Sequence, residues 1–162
     1  KIAESVTCLC KGSKADEGDL AFAKELFYYL GTVRNIDERL MNAATAISGS
    51  GPGYIFHFIE SNNIDSKNIP DHTCHDMMRR LEKAAESLGF EDEDAAFLAA
   101  NTVNASISLL KVTGFKPQEL REQVSSKGGT TEAGLEVLRK GGSWEEAALA
   151  ALKRAEELSN RG

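Results

Sequence analysis

The sequence predicts a mainly α-helical protein in which a short β-α-β segment precedes a bundle of helices. Three observations support this prediction. Runs of β-forming residues near the N-terminus, at residues 5–10 and 32–36, flank a helical pattern. From Asp37 onward, apolar residues recur with helical spacing. Glycines, prolines and capping residues then divide this long pattern into separate helices.

The N-terminal segment begins with a strand-like run from Ile2 to Cys10. Asp16 can cap a helix that continues to about Leu30, and Gly31 is a suitable place for it to end. Residues 32–36 could form a second strand. The order strand, helix, strand is typical of the unit that closes a dinucleotide-binding domain.

Helical patterns account for most of the remaining chain. Asp92 is a candidate cap for an almost entirely apolar helix, and Ser143-Trp144-Glu145-Glu146 is a capping box. A helix apolar on most sides belongs in the centre of a bundle or at a subunit interface. The predicted helices cover residues 37–60 with a kink, 71–88, 94–112, 117–124, a segment ending near 139, and 144–159.

Composition excludes several classes of protein. Hydrophobic residues make up 41% of the 162 residues and charged residues 27%, as in ordinary globular domains. A net charge of −6 without a basic run disfavours nucleic-acid binding. No apolar stretch is expected to cross a membrane. Three cysteines are too few for a disulfide framework and suit a reducing cytoplasm.

Residues 124–135, Val-Ser-Ser-Lys-Gly-Gly-Thr-Thr-Glu-Ala-Gly-Leu, are the most informative stretch. Gly128 and Gly129 let the backbone turn, and a helix follows the two threonines. The free N–H groups and partial positive charge at a helix start favour an anion. A small carboxylate or phosphate is the predicted ligand. The alternative is an ordinary helix cap after a glycine turn.

A second stretch, Thr45–Tyr54, reads Thr-Ala-Ile-Ser-Gly-Ser-Gly-Pro-Gly-Tyr inside a helical pattern. Its glycines and proline should break or kink the helix. Such a kink usually serves the close approach of another backbone or a ligand. The alternative is a plain loop between two helices.

The two motifs together resemble the signature pair of 1-pyrroline-5-carboxylate reductases. The resemblance implies a multi-helix dimerisation domain similar to the C-terminal domain of 6-phosphogluconate dehydrogenase, over residues 37–162. Residues 1–36 would then be a remnant of the family's N-terminal Rossmann domain. The sequence has no Gly-x-Gly-x-x-Gly after a strand, so we expect no cofactor-binding residues in it.

The implied activity is reduction of 1-pyrroline-5-carboxylate to L-proline with NAD(P)H, in cytoplasmic proline biosynthesis. The NADP or NAD would be bound by a missing N-terminal domain, so the chain alone should be inactive. The expected partners are the imino acid or proline and a second copy of the chain, with higher oligomers left open and neither nucleic acid nor membrane involved.

Site residues follow from the resemblance, position by position. Thr131 matches the hydroxyl that meets the ring nitrogen and is the predicted catalytic residue. Ser126 and the N–H groups of Gly129, Thr130 and Thr131 would bind the carboxylate, and Val124 and Ser125 would line the pocket. The predicted structural motif near the site consists of Ser48, Gly49, Ser50, Gly51 and Pro52.

Several positions depart from the family pattern. Lys127 stands where proline is usual, Gly53 where alanine is usual, and Asn42 where aspartate is usual. Glu132 satisfies the helix dipole but competes with a bound carboxylate. Residues 61–78 resemble an insertion.

The insertion includes His72-Thr73-Cys74-His75, which lacks the fourth ligand of a zinc site, so we predict a solvated helix start and no metal. Two other functions stay open. One is a non-catalytic helical oligomerisation or regulatory module derived from the same scaffold. The other is the C-terminal domain of a different dehydrogenase that acts on small acids.

Overall fold

The computed structural model describes residues 5–160, and it is mainly helical with a small sheet at the N-terminal end. Two strands, a turn of 3-10 helix, a turn of π-helix and eight α-helices follow one another. Their bounds are β1 Ser5–Leu9, α1 Glu17–Tyr28, β2 Gly31–Asn35, 3-10 turn Glu38–Leu40, α2 Met41–Ala44, π-turn Thr45–Gly49, α3 Gly51–Ser61, α4 Asp71–Ser87, α5 Asp92–Thr113, α6 Pro117–Gln123, α7 Thr130–Arg139 and α8 Trp144–Ser159.

The predicted β-α-β segment is confirmed. β1 and β2 pair in parallel, with Ser5 opposite Gly31. Asp16 caps α1 through a reciprocal capping box with Asp19. Gly31 does more than end the helix, because it has φ +150° and begins β2. The predicted start of the strand at Ile2 lies outside the described residues.

The β-α-β segment is fastened to the start of α5. The Arg34 side chain of β2 donates to Glu93 at 2.9 Å and also bonds to Asp94. The same guanidinium lies over the ring of Phe97, 5.3 Å from its centroid. Charge pairing and a cation–π contact therefore hold β2 against one end of the helical bundle.

The predicted kink between residues 37 and 60 is confirmed, and its form is a turn of π-helix. The N–H of Ser50 donates to the carbonyl of Thr45 at 2.9 Å, a bond that spans five residues. A π-turn widens the helix locally and redirects the chain without breaking it. α3 therefore starts next to α4 and α5, where a Cβ atom on Gly51 would lie 3.1 Å from Thr102 Cγ2.

The hydrophobic core surrounds α3. Tyr54, Ile55, Phe56 and Ile59 of this helix are fully buried. Trp144, at the start of α8, packs edge-on against both Tyr54 and Phe58 with ring centroids 6.1 Å apart. Other helices contribute the remaining large buried side chains, Met77, Leu81, Leu98, Val103, Leu120 and Leu135.

α5 is less enclosed than the sequence suggested. It begins at Asp92, two residues earlier than predicted, after a cap residue, Glu91, that makes no side-chain cap bond. One face is buried, whereas Phe97 and Leu109 are only half-buried and Val112 is 66% exposed. Its other faces carry the polar residues Asn101, Asn104 and Lys111. These three residues line a cleft of about 890 Å³, whose other walls come from α1, β2 and α4.

The expectation that no segment could cross a membrane was wrong on length and composition. α5 is long and apolar enough, the one such helix within residues 5–160. The core helix of a bundle can have the same length and composition as a membrane-spanning helix. Leu98, Val103 and Leu110 of α5 pack into the core.

The predicted helix start at residues 71–75 is confirmed, since α4 begins at Asp71. His72 and His75 are exposed and Cys74 is half-buried in its first turns. In the part of the chain that the structure describes, no three His, Cys, Asp or Glu side chains are arranged to hold a metal ion.

Candidate functional site

The two glycine-rich motifs, which lie about 80 residues apart in the sequence, meet in the structure. The hydroxyl of Ser50 donates to the hydroxyl of Thr130 at 3.0 Å. Ser50 is fully buried and Thr130 is half-buried, so the contact is partly shielded from water. The kink before α3 and the first turn of α7 thus form one local site.

Close packing of α3 on α7 depends on two glycines. A Cβ atom on Gly53 would lie 2.4 Å from Thr131 Cγ2, and one on Gly134 would lie 2.5 Å from the Tyr54 hydroxyl oxygen. Real Cβ atoms do not approach other atoms so closely, so neither position has room for a side chain. At Gly53 the two helices lie closer than an alanine permits.

The loop that leads into α7 owes its shape to a glycine pair. Gly128 has φ +69°, in the left-handed region that glycine occupies without strain. Gly129 is extended and caps α7, and a Cβ atom there would lie 2.3 Å from Ser126 Oγ. The predicted turn at Gly128 and Gly129 is confirmed, but the helix was expected to follow the two threonines, whereas α7 begins at Thr130 and includes both.

The N–H groups of the loop divide into two sets. Gly128 donates to the carboxylate of Glu132, and Gly129 donates to the carbonyl of Ser126 at 2.9 Å. No hydrogen-bond acceptor within residues 5–160 takes the N–H of Thr130 or Thr131. The Gly129 N–H, predicted to bind a carboxylate, is thus used by the tight turn, and the open donors are those of the two threonines.

The hydroxyl groups add to this set of donors. A hydroxyl group can take part in more than one hydrogen bond, so Thr130 can still bond to a group outside the Ser50 contact. The methyl group of Thr131 faces Gly53, and its hydroxyl makes no hydrogen bond to another described residue. Two N–H groups at the positive end of the α7 dipole therefore lie next to two threonine hydroxyls, a set that suits a small carboxylate.

The other predicted site residues lie around this set. Val124 is half-buried at the end of α6 and would lie 3.7 Å from a Cβ atom on Gly53. Ser125 is half-buried and its N–H bonds to the carbonyl of Glu122. Ser126 is exposed, and its carbonyl holds the turn. Their roles toward a ligand stay predictions.

The predicted structural motif, Ser48 to Pro52, turns its two serines in different directions. Whereas Ser50 meets α7, Ser48 lies with Cys8 of β1 along a small cavity of about 250 Å³. Burial raises the pKa of the Cys8 thiol, and the charge of Asp94 adds to the rise. The motif therefore joins the β-α-β segment to the start of α7.

Three functional neighbours were missed by the sequence analysis. Burial raises the pKa of Tyr54, so its hydroxyl stays protonated, and it donates to the carbonyl of Ala147 at 3.4 Å. Arg154 of α8 donates through Nε to the carbonyl of Gly128 at 2.6 Å. Glu132 was considered for the helix dipole and as a competing charge, yet it also accepts the Gly128 N–H. The contacts of Arg154 and Tyr54 span 26 and 93 residues and leave no local sequence signal.

Comparison with known proteins identifies the family. The family model described as pyrroline-5-carboxylate reductase dimerisation matches residues 74–159. Pyrroline-5-carboxylate reductase of Arabidopsis thaliana is 34% identical over 161 residues, covering 98% of this chain and 51% of the relative. The enzyme of Methanosarcina acetivorans is 31% identical over 163 residues, covering 99% of this chain and 53% of the relative.

A third relative, pyrroline-5-carboxylate reductase 2 of Bacillus subtilis, is 33% identical over 85% of this chain and 43% of its own length. A crystal structure of Plasmodium falciparum pyrroline carboxylate reductase with NADP bound is 27% identical, covers 96% of this chain and 56% of that chain, and has a TM-score of 0.40. The chain spans about half the length of the curated relatives it matches. On the match to residues 74–159, the chain belongs to the pyrroline-5-carboxylate reductase dimerisation family.

Proposed function

We propose that this chain is the substrate-binding and subunit-pairing part of a pyrroline-5-carboxylate reductase, which reduces 1-pyrroline-5-carboxylate to L-proline in proline biosynthesis. The observation that carries the proposal is the meeting of the two motifs at Ser50 and Thr130, beside the open N–H groups of Thr130 and Thr131.

The substrate has two features that this site can recognise. Its carboxylate accepts from the N–H groups of Thr130 and Thr131, where the α7 dipole favours negative charge. Its ring nitrogen faces the hydroxyl of Thr131, which donates to it and makes the C=N bond a better hydride acceptor. Fixing the carboxylate also orients the ring, which lowers the entropic cost of the reaction.

NADP or NAD would supply the hydride from another part of the full-length protein. The turn that joins β1 to α1, residues 10–16, contains one glycine, Gly12, and lacks the glycine-rich fingerprint that cradles a pyrophosphate. These residues do not fit a dinucleotide. Residues 1–36 are best explained as the last β-α-β unit of a cofactor domain, and residues 37–162 as the helical domain.

The chain is proposed to form a homodimer in the cytoplasm. Val112 and Phe115, at the end of α5, are 66% and 45% exposed, and a second copy would remove them from water. Cys8, Cys10 and Cys74 are all free, which suits a reducing compartment.

The dimer is tested by light scattering on the purified chain. We expect twice the mass of one chain across the accessible concentrations. A single-chain mass at every concentration would contradict the proposed pairing.

L-proline is the direct probe of the acid-binding site. We expect L-proline to shift the amide NMR signals of Thr130 and Thr131 in a saturable titration, because their N–H groups receive its carboxylate. Pyrrolidine, which has the same ring without the acid group, should leave both signals in place. Equal shifts with the two compounds, or shifts confined to other helices, would contradict the proposed function.

The close approach of Gly53 and Thr131 gives a second test. Gly53→Ala should displace Thr131, destabilise the protein by about 1–3 kcal/mol and weaken L-proline binding. Adding Thr131→Ser removes the methyl group that the new Cβ would strike but keeps the hydroxyl, so the double variant should recover both properties. Urea unfolding and the same NMR titration measure the outcome. If the two substitutions act additively, the packing described here is wrong.

A further inference from the structure

We infer that Arg154 and Glu132 are positioning residues that hold the Gly128 peptide in the orientation that the acid-binding site needs, an inference that rests on the proposed function. Neither residue touches the substrate in this account. They act through Gly128 and Gly129, which connect α6 to the first N–H groups of α7.

The Gly128 residue is held on both sides by charged side chains. Its N–H donates to the carboxylate of Glu132, one turn into α7. Its carbonyl accepts from Nε of Arg154 on α8, at 2.6 Å. Hydrogen bonds to charged groups are stronger than those between neutral groups, so the pair fixes the backbone more firmly than the turn could alone.

This support matters because Gly128 has no regular structure to hold it. With φ at +69° it lies outside helix and strand, and glycine is the residue that most readily changes conformation. Rotation of the backbone at residues 128–129 would turn the N–H groups of Thr130 and Thr131 away from a bound acid. The two side chains therefore convert a flexible glycine pair into a fixed entry to α7.

Arg154 is itself prepared for this role. Its Nη1 bonds to Glu157 at 2.7 Å, one turn further along α8, and its side chain is 23% exposed. The partly buried guanidinium is thereby oriented before it meets Gly128. It also places a positive charge at the loop, which offsets the repulsion between Glu132 and an incoming carboxylate.

Substitutions that separate hydrogen bonding from charge test the inference. Arg154→Ala should weaken L-proline binding about tenfold, since one charge-assisted hydrogen bond is worth that order. Arg154→Lys, which can still reach the carbonyl, should restore most of the affinity. Glu132→Ala should also weaken binding, whereas Glu132→Gln keeps an acceptor for the Gly128 N–H and should bind nearly as the original chain does. Lys153→Ala, on an exposed neighbour in α8, is the matched control.

The readout is the L-proline titration of the 162-residue chain, together with amide hydrogen exchange at Gly128 and Gly129, whose N–H groups are hydrogen-bonded. A positioning role predicts faster exchange and weaker binding at an unchanged melting temperature. Arg154→Met, similar in reach but without a hydrogen-bond donor, replaces Arg154→Ala if the latter does not fold, and the same loss of affinity is expected.

Each outcome decides one hypothesis. If the original chain binds L-proline and Arg154→Ala binds it equally well, the inference is overturned and the proposed function stands. If Glu132→Gln loses as much affinity as Glu132→Ala, Glu132 does not support L-proline binding through its hydrogen bond to Gly128. The part of the inference that concerns Glu132 then fails. If the original chain shows no L-proline binding at Thr130 and Thr131, the proposed function falls and the inference falls with it.

Discussion

The contact between Ser50 and Thr130 is the constraint on which the rest of the site depends. The fully buried hydroxyl of Ser50 needs a hydrogen-bond partner, since an unpaired buried polar group costs about 1–3 kcal/mol. The bond fixes the kink before α3 against the first turn of α7, and the glycines at 53 and 134 allow the two helices to close around it. The N–H groups of Thr130 and Thr131 thereby acquire a fixed direction.

The motif around the π-turn at Thr45–Gly49 serves two neighbours. Ser48 and Ser50 are two residues apart, and side chains at that spacing face different sides of a helix. Ser48 lies beside Cys8 of the β-α-β segment, while Ser50 meets α7. The π-turn adds a residue to the helical path and sets where α3 begins against α4 and α5.

Local sequence signals predicted the elements well because their causes are local. The capping boxes at Asp16 and Ser143 and the turn at Gly128 involve groups within four residues of one another. The partial exposure of α5 could not be predicted in this way, because burial depends on which neighbours cover each face. The supports from Arg154 and Tyr54 link residues far apart in the chain, so they too required the structure. For the binding roles of residues 124–131, the sequence supplied candidates, and the structure supplied the geometry that makes them testable.

The most direct measurement of the central contact is a double-mutant cycle between Ser50 and Thr130. Ser50→Ala and Thr130→Val each remove one hydroxyl while keeping the side chain close to its original size. If the two hydroxyls are bonded as described, urea unfolding should give a coupling free energy of about 1 kcal/mol. If the losses of unfolding free energy in the two single variants add up to that of the double variant within about 0.3–0.5 kcal/mol, the two hydroxyls do not interact. That result would contradict the account of how the two motifs build one site.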